Sequence, residues 1–345
     1  MVSKAVRFCG RPVPVPDPAS VPLSLYVHWP WCVRKCPYCD FNSRAIKSDV
    51  PEGRYVDALL AQLSAESPLA LGRPLQTVYI GGGTPSLITP EGMQRLLDGI
   101  RSRLELALGC EISMEANPGT LEAGRFEAYA AAGVNRASIG VQSFSESELR
   151  RLGRIHSPQD ARAAAAEARR VFGNFNLDLM FGLPDEEGQQ LEVDLGQAVA
   201  AGSTHLSFYQ LTIEEGTAFA KRIPDGLPDG DQLGEMTDTI IHRLSESGFR
   251  RYEVSGYARP GSECRHNLNY WRYGDYLAIG AGAHGKVSTS RGVLRFAGSA
   301  SPSLYMKEVE ARGQSGEQRW VTDEELPFEF MLNGLRLLDG VPEEL

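Results

Sequence analysis

From Leu23 onward, short apolar runs alternate with longer amphipathic stretches, a pattern that predicts strands separated by helices and therefore a parallel α/β fold. Six such units can be counted. The predicted strands are Leu23–His28, Thr77–Ile80, Glu111–Glu115, Arg136–Val141, Phe175–Phe181 and His205–Leu211, with helix-like segments such as Tyr55–Glu66, Glu91–Leu104 and Pro158–Phe172 between them. Six units rather than eight suggest an open, partial barrel, whose functional residues should gather on the loops after the strand C-termini. The alternating Pro12, Pro14, Pro16 and Pro18 predict an extended arm over residues 1–21. The turn-rich Ile223-Pro224-Asp225-Gly226-Leu227-Pro228-Asp229-Gly230 predicts a boundary. A core over 22–230 and a smaller α+β accessory region over 231–325 follow.

At 345 residues with 42% hydrophobic content, the chain can bury a large core. No stretch approaches the ~18 uninterrupted apolar residues of a membrane-spanning helix. The formal net charge of -9 provides no basic field for a phosphate backbone, which weighs against nucleic acid as a partner.

The run Cys32-Val33-Arg34-Lys35-Cys36-Pro37-Tyr38-Cys39 changes the picture most. Cys32 and Cys36 could share a helical face, but Pro37 removes a backbone donor and biases Cys36 towards an extended conformation, so the segment should wrap around a ligand as a loop. A four-iron cluster is normally held by four Cys thiolates, and three leave one iron open to a group that is not protein. A structural zinc site completed by His28 competes with this reading. Disulfides do not: Cys9, Cys110 and Cys264 are scattered, and no apolar leader marks secretion, so a reducing, cytoplasmic compartment is expected.

Further candidates stand at predicted strand ends. Gly81-Gly82-Gly83-Thr84-Pro85 follows the second strand and lets backbone approach a ligand closely, although a tight strand-to-helix turn would need the same glycines. Glu115, Gln142 and Asp178 lie at or near the ends of the third, fourth and fifth strands. Each could merely cap a helix, but their joint placement on one rim favours a site. Arg154, in Leu152-Gly153-Arg154-Ile155-His156, offers a planar fork for a carboxylate. Later, Cys264-Arg265-His266-Asn267-Leu268-Asn269-Tyr270-Trp271 sets a potential iron ligand beside large aromatics, where a hydrogen-bonded core histidine is the plainer alternative.

The Cys-x3-Cys-x2-Cys loop resembles the signature of the radical S-adenosylmethionine (radical SAM) superfamily. Its flanks, Tyr26-Val27-His28-Trp29-Pro30-Trp31 and Cys39-Asp40-Phe41-Asn42-Ser43, are similar to those of the HemW heme-chaperone family, relatives of the oxygen-independent coproporphyrinogen III oxidase HemN. The resemblance implies a (β/α)6 partial TIM-like barrel and a [4Fe-4S] cluster on Cys32, Cys36 and Cys39. It implies SAM contacts from Tyr26, Gly82, Gly83, Thr84, Glu115, Gln142, Arg154 and Asp178, and cleavage of SAM to a 5′-deoxyadenosyl radical. HNxxYW resembles a heme-binding motif, which implies His266 as axial ligand, Cys264 as its alternative, and Tyr270 and Trp271 as porphyrin contacts. Ala283 and His284, in Gly280-Ala281-Gly282-Ala283-His284-Gly285, are similar to residues near the active-site mouth. The implied partners are heme and client hemoproteins, membrane-bound respiratory enzymes among them, with a dimer as one possible assembly. Decarboxylation of coproporphyrinogen III is the alternative function, but the further Cys of the oxidases is here Phe41, which disfavours it. Residues 326–345 resemble the opening of the family's C-terminal domain, expected to be truncated here.

Overall fold

The computed structural model describes residues 6–8, 11–13, 17–120, 124–186 and 188–341. About half of the arm expected over 1–21 lies outside them; Val6–Phe8 and Arg11–Val13 pair as a small antiparallel ribbon apart from the main sheet.

Six strands form the barrel wall: β1 (Leu23–Trp29), β2 (Leu75–Gly82), β3 (Leu106–Ala116), β4 (Arg136–Gln142), β5 (Asn174–Phe181) and β6 (His205–Gln210). They are parallel neighbours in the order 6-5-4-3-2-1. Between them run α1 (Glu52–Glu66), α2 (Pro90–Arg101), α3 (Arg125–Ala132), α4 (Pro158–Val171) and α5 (Gly188–Ala200). Local chemistry starts these helices where they are needed. Thr89 accepts the Gly92 N–H at the start of α2, and Ser157 with Asp160 closes a capping box around Pro158 in α4.

The strands carry a two-residue alternation with opposite chemistry on the two faces. Leu25, Val27, Val78, Ile80, Ile112, Met114, Ile139, Leu177, Leu179 and Phe208 are buried in the apolar core shared with the helices. Each such side chain contributes about 1.5–3 kcal/mol. Ser24, Thr77, Ser113, Arg136, Ser138, Asn176, His205 and Ser207 alternate with them and are equally buried. These polar residues bond across strands: Thr77 Oγ1 to Ser24 Oγ at 2.8 Å, and Asn176 Nδ2 to Ser138 Oγ at 2.8 Å. The barrel therefore has a polar lumen inside an apolar jacket.

The segments after the Ile223–Gly230 turns extend the same sheet. After α6 (Gly230–Glu246), β7 (Arg250–Arg251) and β8 (Gly256–Ala258) continue beyond β6. Then α7 (Arg265–Trp271) crosses to β9 (Asp275–Ile279), which lies parallel to β1, and β10 (His284–Thr289), β11 (Gly292–Ala297) and β12 (Glu317–Trp320) follow antiparallel. The six expected parallel strands thus become seven. Asp275, wholly buried, joins the two regions by accepting from Arg73 at 2.7 Å and Lys286 at 2.9 Å. Among the described residues no helix is long and apolar enough to cross a membrane.

Candidate functional site

The cysteine loop leaves β1 at Trp29, and Trp31–Cys32 pairs briefly with Arg44–Ala45 before the chain enters α1. As Pro37 predicted, the loop is irregular. The glycine turn is bonded to its root: Gly83 N–H donates to Trp29 O at 2.6 Å and Thr84 N–H to Trp31 O at 2.8 Å. A Cβ at position 83 would fall 2.6 Å from Trp31 O, so only glycine lets the two backbones meet. The glycines therefore first serve to fix the cysteine loop against the barrel rim.

Around that rim Arg154 is the central group. Its Nη1 donates to Cys36 Sγ at 3.5 Å, and its Nη2 donates to Gly140 O at 2.8 Å and to Asn117 Oδ1. Asn117 in turn donates from Nδ2 to Thr84 Oγ1 at 2.9 Å. Cys36, Thr84, Asn117, Arg154 and His156 line one pocket that opens beside the loop. Gln142 reaches the same place, because a Cβ built on Gly140 would lie 3.0 Å from both Gln142 Nε2 and Asn117 Oδ1. It does so from a left-handed backbone, φ 68°, where the β4–β5 register shifts. His156 donates from Nε2 to Val141 O at 3.0 Å; burial, then the Arg154 charge, lowers its pKa to about 4.

Deeper in the lumen, Glu115 accepts from Tyr79 Oη and from Gly82 N–H, each at 3.0 Å. Burial, then the nearby Asp178 carboxylate, pushes its pKa up to about 7. Asp178 accepts from Ser138 Oγ at 2.9 Å and Asn176 Nδ2 at 2.7 Å, and burial raises it as well. Tyr26 stacks beside Tyr79 and donates to His28 Nδ1 at 2.9 Å, while His28 Nε2 donates to Asn42 O at 2.9 Å. Both nitrogens of His28 are thus committed, which removes the donor a Cys3His zinc site would need.

The fold brings the sequence-predicted residues together in two tiers. Cys36, Thr84 and Arg154 line the pocket, with Gln142 close by near Asn117 and with Cys32 and Cys39 on the same loop. Tyr26, Gly82, Glu115 and Asp178 lie below them. Three free thiols on one loop suit an iron–sulfur cluster, and Ser43 Oγ lies 3.7 Å from Cys39 Sγ. Among the described residues no three His, Cys, Asp or Glu converge as a single metal ion would require. Thiols spread around a loop fit a cluster whose irons each take one. Asn117 was missed from the sequence, although it stands two residues beyond Glu115, the strand period that repeats a face.

The HNLNYW segment stands apart from this rim, at the opposite end of the lumen. It forms α7, which closes the barrel floor. Glu111 on β3 holds its first turn, accepting from the amides of Arg265 at 3.4 Å and His266 at 3.3 Å. His266 is 2% exposed, its Nδ1 lies 2.7 Å from Thr77 Oγ1, and its ring stacks on Tyr79. Burial brings its pKa down to about 3. Tyr270 packs on Tyr276 with centroids 4.1 Å apart, and Trp271 lies under the Arg336 guanidinium. The expected slot for a porphyrin between His266, Tyr270 and Trp271 is filled by the protein's own rings. Cys264, also buried, donates to Glu111 at 3.8 Å. As folded, these residues do not fit heme, and ligation at His266 would require α7 to lift. Of the pair near the mouth, Ala283 is buried and His284 exposed.

Residues 26–196 match the radical SAM superfamily. The heme chaperone HemW of Escherichia coli is 53% identical over 324 residues, spanning 93% of this chain and 84% of that protein. A mouse protein, radical S-adenosyl methionine domain-containing protein 1, mitochondrial, is 39% identical over 98% of this chain and 78% of its own length. Among solved structures, the radical SAM enzyme coproporphyrinogen III oxidase (HemN) from Escherichia coli superposes with a TM-score of 0.81 at 25% identity, covering 92% of this chain and 76% of that one. By fold, cysteine loop and sequence, the chain belongs to the HemW family of the radical SAM superfamily.

Proposed function

We propose that the protein binds heme and passes it to hemoprotein clients, and that it carries a [4Fe-4S] cluster with SAM on the open iron. The observation that supports this best is the convergence of Cys36, Asn117 and Arg154 on one pocket, in a chain 53% identical to a heme chaperone. Cys32, Cys36 and Cys39 would hold the cluster. Arg154 would take the nucleotide's carboxylate, since its charge lies beside Cys36 and its fork suits two oxygens. The Gly82 turn and Glu115 would receive the amino group, and the stacked Tyr26 and Tyr79 would exclude water below it. Gln142 and Asp178 would contact the rest of the nucleotide, and Thr84 would fix Asn117. When bound, the cluster supplies an electron for reductive cleavage at the nucleotide's sulfonium.

The test is anaerobic reconstitution with iron, sulfide and heme analysis, followed by incubation with SAM, reductant and coproporphyrinogen III. Serine at Cys32, Cys36 or Cys39 should abolish the four-iron cluster, whereas serine at Cys110 should not. Heme should bind without turnover of the porphyrinogen. SAM-dependent formation of protoporphyrinogen IX would instead establish the oxidase activity. His266→Ala is the companion variant: loss of heme binding would show that α7 lifts to expose its histidine.

A further inference from the structure

We propose that His266 is a positioning residue for the nucleotide site, acting through Tyr79 on Glu115. This rests on the reading of Glu115 as a contact to the nucleotide's amino group. The path is continuous from the barrel floor to the glycine turn. His266 stacks on Tyr79 with centroids 5.0 Å apart and planes 25° from parallel. Tyr79 Oη donates to Glu115 Oε1 at 3.0 Å, and Glu115 Oε2 accepts the Gly82 N–H at 3.0 Å.

The floor end of this path is held firmly. Thr77 Oγ1 donates its proton to Ser24 Oγ, so it accepts from His266 Nδ1–H. That assignment leaves Nε2 as the bare nitrogen, and Nε2 is buried with no partner. A buried polar atom without a partner is costly, so the imidazole's polar chemistry alone does not account for its place. What the ring supplies is a flat face against Tyr79 and one anchor to β2.

Tyr79 needs that support. Its ring lies between two others, Tyr26 at 6.3 Å and His266 at 5.0 Å, and its hydroxyl bonds a carboxylate that burial makes reluctant to ionise. If the ring tilts, Glu115 loses one of its two donors. Glu115 then ionises less readily and presents its oxygens less well to a cation. The segment singled out for its iron-ligating histidine is thereby linked to the opposite end of the barrel.

The experiment compares His266→Ala, His266→Phe and Tyr79→Phe, singly and with His266→Ala and Tyr79→Phe combined, in reconstituted protein. SAM affinity is read by calorimetry, and the nucleotide-induced change in the EPR spectrum of the reduced cluster is recorded. Removing one face of a stacked pair should weaken SAM binding about three- to tenfold in His266→Ala. His266→Phe should restore it to within about twofold and recover the EPR change, because Phe gives up the Nδ1 bond to Thr77 but keeps the flat face that holds Tyr79. The double variant should bind no more weakly than Tyr79→Phe alone. Unchanged affinity in His266→Ala, failure of Phe to rescue, or additive losses would each overturn the proposal. If His266→Ala does not fold, His266→Leu, which fills the floor but offers no flat face to Tyr79, decides: a loss of SAM affinity supports the path, and none refutes it. Absence of SAM binding by the wild-type chain would refute the underlying nucleotide reading instead, and is distinguishable because it precedes any variant.

Discussion

Arg154 lies against Cys36, donating from Nη1 to the sulfur over 3.5 Å, and the same guanidinium reaches Gly140 O and Asn117 Oδ1 from Nη2. One half-buried cation therefore ties the cysteine loop to β4 and to the end of β3. Its Nη1 edge faces the pocket beside the sulfur, and a carboxylate bound there would gain charge-assisted hydrogen bonds.

Arg154→Ala should weaken SAM binding by about 1.5–3 kcal/mol, the range for a hydrogen bond to a charged group. Iron content should hold, because the three thiols remain. Lysine at this position keeps the charge but cannot span three acceptors, so its affinity should fall between the two. Calorimetric titration of the reconstituted variants checks this, and an unaltered Kd in the alanine variant would remove Arg154 from the site.

Gly140 makes room for this arrangement. A Cβ there would press on Gln142 Nε2 and Asn117 Oδ1 at 3.0 Å and on Arg154 Nη2 at 3.3 Å, while its backbone is not in the left-handed region and accepts alanine. Gly140→Ala should leave the melting temperature within a few degrees of wild type, a stability change of about 1 kcal/mol or less, yet lower SAM affinity severalfold. Equal losses in both measurements would mean that the residue serves the fold alone.

Much of this geometry was legible in the sequence, for identifiable reasons. The apolar run Arg136–Val141 was placed to within a residue of β4, because a buried parallel strand leaves a strong local signal. The helix-like segment Pro158–Phe172 matched α4 to within a residue. What stayed hidden depends on contacts between distant segments. β9 joins the barrel beside β1 some 250 positions away in sequence, so the accessory region became part of the same sheet. HNLNYW reads as an aromatic ligand cluster when taken alone. Only Thr77, Tyr79 and Glu111, from two other strands, show it to be a floor.

Gln142 combines strain with function. Its φ of 68° costs a non-glycine residue of order 1 kcal/mol, and a neighbouring register shift holds it there. Gln142→Gly should raise stability slightly in thermal unfolding while lowering SAM affinity, since the amide that faces Asn117 and Arg154 is lost. A variant that is both more stable and binds SAM normally would show that the strain serves no nucleotide contact.

Glu66 gives the sharpest pH prediction. It lies in α1, 4% exposed, with Oε1 accepting from Gln62 Nε2 at 2.7 Å and Oε2 without a partner. Burial pushes its pKa up to about 8, and the Gln62 bond opposes this only in part. The folded state therefore holds this proton more tightly than the unfolded chain, whose Glu titrates near 4.3. The corresponding stability is fully present below about pH 4 and is lost as pH rises towards 8, because folding must then either retain a proton or bury a charge. Glutamine is neutral at every pH, and its carbonyl oxygen keeps the bond from Gln62, which also holds Gly280 and Tyr305. Glu66→Gln should thus match wild type near pH 4.5 and exceed it by roughly 2–4 kcal/mol at pH 8 in denaturant unfolding. A gap that does not widen with pH would mean that Glu66 is charged in the folded protein and that a donor beyond Gln62 satisfies its second oxygen.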